Sequence, residues 1–188
     1  MNLTPIAVLR LAALGLVAVI VQLAAVSQVT IFGVTADLSP LIVMSTGLLL
    51  GSIPGTVMGF SVGLLVDMAL LQTPGVSSLI FIAVGYGSGR LRELRDPSHG
   101  LIPLAAGAAA TAITELGFSL IQFLLGVDAP VSLLLLRQIL ATIILNSLIA
   151  LPIYALVRRI LEPYLPDDPR RRRRRAYTTG GLSPLTRS

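Results

Sequence analysis

The feature that most constrains this chain is the length of its charge-free stretches. Residues 11–36, 38–66 and 68–89 contain no Asp, Glu, Lys or Arg, and long apolar runs recur from Leu11 to Leu156. A helix needs about 20 apolar residues to cross the hydrocarbon of a bilayer, so runs of this kind, one after another, describe an all-α integral membrane protein. Hydrophobic residues make up 54% of the 188 and charged ones 12%. The apolar blocks therefore occupy nearly the whole chain and leave no soluble catalytic domain. With no cysteine, disulfides, thiolate nucleophiles and cysteine-held metals are excluded. The single histidine, His99, lies in a charged loop and is read as a solvated residue, not as part of a metal site.

All 14 basic residues are arginine, and their positions orient the chain. Arg10 precedes the first apolar block, Arg90, Arg92 and Arg95 follow a middle one, and Arg158, Arg159 and the run 170–175 follow the last. Because cytoplasmic loops are enriched in Lys and Arg, the N-terminus, the 90–100 loop and the C-terminus are expected in the cytoplasm. Parity then requires an even number of crossings between residues 10 and 90. Residues 38–89 are too many for one helix of about 20 residues and suffice for three short ones.

Proline in a first helical turn, preceded by Ser, Thr or Asp, marks the breaks: Ser39-Pro40, Pro54 after Ser52, Thr73-Pro74, and Asp128 before Pro130. The expected spans are 8–30, 39–52, 54–71, 74–90, 101–125 and 131–157, about six crossings of a membrane domain covering residues 1–160. The second is short, reaching about 20 Å against a hydrocarbon core of about 30 Å, so it is either re-entrant or crosses where protein shields its ends. A cleavable leader competes for the first block, since LAAVSQ places small residues near its end. The block is read as a span.

Gly47, Gly51, Gly55, Gly59 and Gly63 recur at every fourth position, and Asp67 takes the next place in that register. On the third span, Gly55, Gly59, Gly63 and Asp67 form one stripe, against which another helix can approach closely. The contact expected there is one between helices inside this fold, with the sixth span as the candidate, or else one with a helix of another protein. Ionisable groups at membrane depth usually face a partner or a cavity. Asp67 and Arg137 lie about 6 Å and about 9 Å from the outer ends of their spans, which predicts an intramembrane ion pair. Glu115 lies about 15 Å deep, near the midplane, with Gln122, Asn146 and Gln22 as candidate hydrogen-bond partners. No catalytic set, metal motif or phosphate loop is present; GYGSG lacks the Lys-Ser/Thr such a loop requires.

The series G-F-S-V-G-L-L-V-D at 59–67, then a turn with Pro74 and Gly75, then V-G-Y-G-S-G-R-L-R at 84–92, resembles the rod shape-determining protein MreD family. The motif part covers about residues 35 to 95, and the layout of five or six spans with a short second one resembles that family over the whole chain. The family's usual Leu-Gly after the aspartate loop is replaced here by Thr73-Pro74-Gly75. The resemblance implies a non-enzymatic, cofactor-free scaffold in the bacterial inner membrane, acting in the complex that builds the lateral cell wall. It also implies a fold similar to the substrate-binding membrane subunit of energy-coupling-factor transporters. The implied partners are the bitopic protein MreC and, through it, MreB, RodA and a class B penicillin-binding transpeptidase. The alternative function is the substrate-binding subunit of a vitamin or metal transporter, for which the chain offers few polar groups.

The tail, residues 161–188, is Arg-, Pro- and Gly-rich and is expected to be cytoplasmic and disordered. Arg170, Arg171, Arg172, Arg173, Arg174 and Arg175 are expected to bind anionic lipid headgroups, in preference to nucleic acid, at about 1 kcal/mol each near the surface.

Overall fold

A computed structural model describes residues 5–24, 30–31, 34–94, 101–126 and 133–162. Six helices are present among them: α1 (Pro5–Ala24), α2 (Leu38–Leu50), α3 (Ser52–Ala69), α4 (Val76–Leu94), α5 (Leu101–Leu124) and α6 (Leu133–Leu161). A small antiparallel pair, β1 (Thr30–Ile31) with β2 (Val34–Thr35), lies between α1 and α2. By length and composition three helices, α3, α5 and the Leu135–Leu161 part of α6, are long and apolar enough to cross a membrane. Helix α4 carries Arg90, Arg92 and Glu93 in its last turns, which lowers its apolar content. His99, Arg95 and the tail from residue 163, with its run of arginines, lie outside the described residues.

The described part of the first helix reaches Ala24, and Thr30, where the span was expected to end, lies in a strand. Thr30, Ile31, Val34 and Thr35 are all β-branched, and here that preference is expressed as a strand pair. Helix α2 starts at its N-cap Asp37, whose side chain accepts from the Ser39 amide at 3.0 Å, two residues before the Ser-Pro signal. The break between α2 and α3 falls at Gly51, with φ 105°, a conformation that favours glycine, so the two helices turn with one residue between them. Pro54 sits in the first turn of α3, where its missing N–H costs no helical bond. Gly75, with φ 99°, precedes α4.

All thirteen residues of α2 are buried. A helix with no polar face belongs in the middle of a bundle, and α2 packs against α3, α4, α5, α6 and α1. Leu41, Val43, Met44 and Leu48 meet Val62 of α3, Phe81 and Val84 of α4 and Val157 of α6 in the central core. The thirteen residues reach about 20 Å, so α2 and the irregular chain leading into it begin well inside the bundle.

Backbone groups of such a segment need partners from protein when no water is at hand. Gln22 of α1 supplies two: its Nε2 donates to the Ala36 carbonyl at 3.0 Å and its Oε1 accepts from the Leu38 amide at 2.9 Å. Asn146 of α6 accepts from the Asp37 amide at 3.1 Å and donates to Thr111 Oγ1 of α5 at 3.2 Å. The short second element is thus shielded at its start by side chains from three other helices.

Candidate functional site

The glycine stripe is occupied by α4. A Cβ built on Gly59 would meet the Phe81 carbonyl, on Gly63 the Ser78 backbone, and on Gly55 the Gly85 carbonyl. On the facing side, a Cβ on Gly85 would strike Gly55 and one on Gly89 would strike Ser52. Two helices here touch backbone to backbone, and α3 with α4 forms the most extensive helix pair of the fold. Gly47 of α2 joins them, its built Cβ lying 2.6 Å from the Gly85 carbonyl oxygen. The expected contact inside the fold is formed, but its occupant is α4 and not the sixth span or another protein's helix: the sequence shows that a helix fits there but carries no record of which one. Of the three glycines in GYGSG, Gly87 alone has nothing within 4 Å of its built Cβ.

The expected ion pair between Asp67 and Arg137 is not formed. Asp67 is fully buried at the end of α3, and its Oδ2 accepts from the Gly75 amide at 2.7 Å, while its Oδ1 accepts from the Ser77 amide at 3.2 Å. Those amides stand just before and in the first turn of α4, where N–H groups lack helical partners and the helix dipole favours negative charge. Asp67 is a cap supplied from the neighbouring helix. Arg137 is exposed on α6. Counting depth places two residues level but leaves their direction around each helix open, and the six-residue turn 70–75 brings α4 to Asp67 first.

Among the described residues the ion pair within 4 Å is Arg90–Glu93, at 2.8 Å. Glu93 also accepts from Ser52 Oγ of α3 at 2.7 Å, and Arg90 lies over the Tyr86 ring, 6.0 Å from its centroid. The Ser52 hydroxyl first, and the Arg90 guanidinium second, hold the Glu93 carboxyl below its ordinary value. Arg92 is half-buried, near Gly51 and within electrostatic reach of Tyr154 of α6. The ends of α4 and α6 thereby share one end of the bundle, with Arg90, Arg92, Arg158 and Arg159.

The polar groups expected around the midplane divide in two. Asn146 and Gln22 hold the start of α2, as described, and neither bonds to Glu115. Glu115 and Gln122 instead line a cavity of about 310 Å³ at the opposite end of the bundle from the arginines. Asp37, Gln72 and Gln22 complete its polar wall, and Phe81, Phe118 and Val66 its apolar one. The Glu115 carboxyl receives no hydrogen bond from a described residue. The cavity sits where α2 stops short, a signal present in the sequence as the weakness of the second span. No catalytic constellation converges on it, and no group of three His, Cys, Asp or Glu suited to a metal occurs among the described residues.

No curated protein and no solved structure gives a significant match to the chain. The profile of the rod shape-determining protein MreD family does match, over residues 4–162, a range that takes in every helix of the fold. The chain belongs to this family of inner-membrane proteins, whose role is in rod-shape determination.

Proposed function

We propose that the chain is a non-enzymatic membrane scaffold of the cell-elongation machinery, binding an MreC-like bitopic protein and, through it, MreB, RodA and a class B penicillin-binding transpeptidase. The observation that carries this reading is the family match across residues 4–162. In this reading the chain crosses the inner membrane six times in alternation, α2 making its crossing together with the irregular segment before it, with both chain ends cytoplasmic. The clustering of Arg90, Arg92, Arg158 and Arg159 at one end of the bundle supports that orientation. So does the sequence between α1 and α2, α3 and α4, and α5 and α6, where residues 25–36, 70–75 and 126–136 contain no Lys or Arg. Arg170–Arg175 tether the tail to anionic headgroups.

Since α4 fills the glycine stripe, a partner's helix meets the outer apolar faces of the bundle. A gentle-detergent pull-down of the tagged chain from its native membrane tests the reading. Co-recovery of a bitopic MreC-like protein with cell-wall synthases is the expected result. Recovery of ATPase subunits with a coupling membrane protein, and no bitopic partner, would overturn it.

A further inference from the structure

The cavity over the start of α2 has a charge imbalance that no described residue corrects. Asp37 and Glu115 both line it. Asp37 accepts from Ser39, through both its amide and its hydroxyl, while the Glu115 carboxyl accepts from no described residue. The sequence between α1 and α2, between α3 and α4 and between α5 and α6, taken as residues 25–36, 70–75 and 126–136, contains no basic side chain. Arg137 is exposed on α6 and does not line the cavity. Both carboxylates are half-buried, and a carboxylate partly withdrawn from water gains from a paired charge or a strong donor.

The rest of the lining narrows what can supply that charge. The side-chain amides of Gln72 and Gln122 bond to no described residue and offer carbonyl oxygens, whereas both polar ends of Gln22 are already used by Ala36 and Leu38. Two carboxylates and two amides with apolar walls are a poor cage for a hard metal ion, which demands six or more oxygens or retained waters. The same set suits an ammonium group, with N–H donors to the carboxylates, Phe81 and Phe118 nearby for its positive charge, and Val66, Leu70 and Leu23 for a short alkyl portion. At about 310 Å³ the space matches a small ligand or a lipid headgroup.

We propose that the cavity between α1, α2, α3, α4 and α5 is a binding site for a primary ammonium group, with Glu115 and Asp37 as its counter-charges. The ammonium is that of a small amphipathic amine or of an ethanolamine lipid headgroup. Either source places the same R–NH3+ in the same cavity. This site is separate from the scaffold reading and stands or falls without it.

The test uses the full chain in neutral detergent. Butylammonium chloride is titrated against thermal unfolding, with n-butanol and with sodium chloride at equal ionic strength as controls. In parallel, native mass spectrometry compares lipid retained from nanodiscs of phosphatidylglycerol mixed with phosphatidylethanolamine or with phosphatidylcholine, whose headgroup has no N–H. The expected result is a saturable rise in unfolding temperature with butylammonium alone, or retention of phosphatidylethanolamine over phosphatidylcholine, or both; which arm responds identifies the source. Glu115→Gln weakens the response about tenfold or more, the scale of one lost hydrogen bond to a charged group. Asp37→Asn keeps an oxygen for the α2 cap and also weakens the response, so it decides the matter if Glu115→Gln does not fold. Silence in both arms, a response equal to that with n-butanol, or variants that respond like the parent would overturn the proposal.

Discussion

Replacing Gly59 by Ala should destabilise the fold, and replacing Gly87 by Ala should stabilise it, although both glycines are helical and both gain the same methyl group. The shared term favours alanine, by about 1 kcal/mol of helix propensity. At Gly87 nothing lies within 4 Å of the new Cβ, so that gain stands alone and about 0.5–1 kcal/mol of added stability is expected. At Gly59 the new Cβ would sit 2.6 Å from the Phe81 carbonyl carbon and 2.9 Å from the Ile82 nitrogen, where ordinary contacts begin at 3.4 Å. Both neighbours are backbone, so no side-chain rotation relieves the overlap and α4 itself must shift by close to 1 Å. A gap of that size along a helix pair forfeits a quarter to a half of each contact's dispersion energy. Overpacking of this kind costs about 1–3 kcal/mol, and an immovable backbone places Gly59 at the upper end. After the propensity gain, a net loss of about 2 kcal/mol remains. Unfolding of the purified chain in mixed detergent–SDS micelles, followed by far-ultraviolet circular dichroism, reads both variants on one scale. If Gly59→Ala were neutral or stabilising like Gly87→Ala, the backbone contact between α3 and α4 would have been misassigned.

Asp67→Ala leaves the Gly75 and Ser77 amides without their acceptor and should cost about 3 kcal/mol, whereas Arg137→Ala, on an exposed side chain, should stay within about 0.5 kcal/mol. The double variant should show simple additivity in the same unfolding assay, and a coupling term above about 0.5 kcal/mol would restore the ion pair. Glu93, whose carboxyl is held below its ordinary value by Ser52 and Arg90, contributes stability that is present above the unfolded-state value and is lost as pH falls through the folded-state value. Glu93→Gln should therefore lower the unfolding midpoint at neutral pH and match the parent well below pH 4; a difference that persists there would mean the effect is not ionic.

Much of this fold is legible in the sequence because bilayer thickness and charge-free length leave few choices. Pro40, Pro54 and Pro74 mark helix starts within a few residues, and the four-residue glycine register announces a close helix contact. What sequence does not carry is azimuth. Depth along a span can be counted from its end, but whether Asp67 points to α6 or to the start of α4 depends on how helices are arranged around one another. The same gap sent Asn146 toward Glu115, when it in fact meets the Asp37 amide and Thr111. Two signals were available and carried more than first read. The sequence LSPLIVMSTGLLL has no polar face, which identifies α2 as the buried centre. The turn 70–75 is short enough that Asp67 at the end of α3 must lie close to the free amides that open α4.

The polar residues at the cavity end of the bundle follow a common logic once α2 is placed at the centre. A central helix of thirteen residues cannot reach both faces of a membrane, so its first turn and the chain before it lie among apolar side chains. Unpaired amides there are costly, and the chain answers with one aspartate for each deep helix start: Asp37 for α2 from within its own segment, and Asp67 for α4 from α3. Gln22 and Asn146 finish the accounting for the backbone between Ala36 and Leu38. Glu115 is the carboxylate for which no helix start remains. It lies on a continuous helix, faces the space that the short α2 leaves open, and meets no basic side chain of a described residue there. Its presence is unexplained by folding alone, and that is the physical reason to look for a cation brought to the cavity from outside the chain.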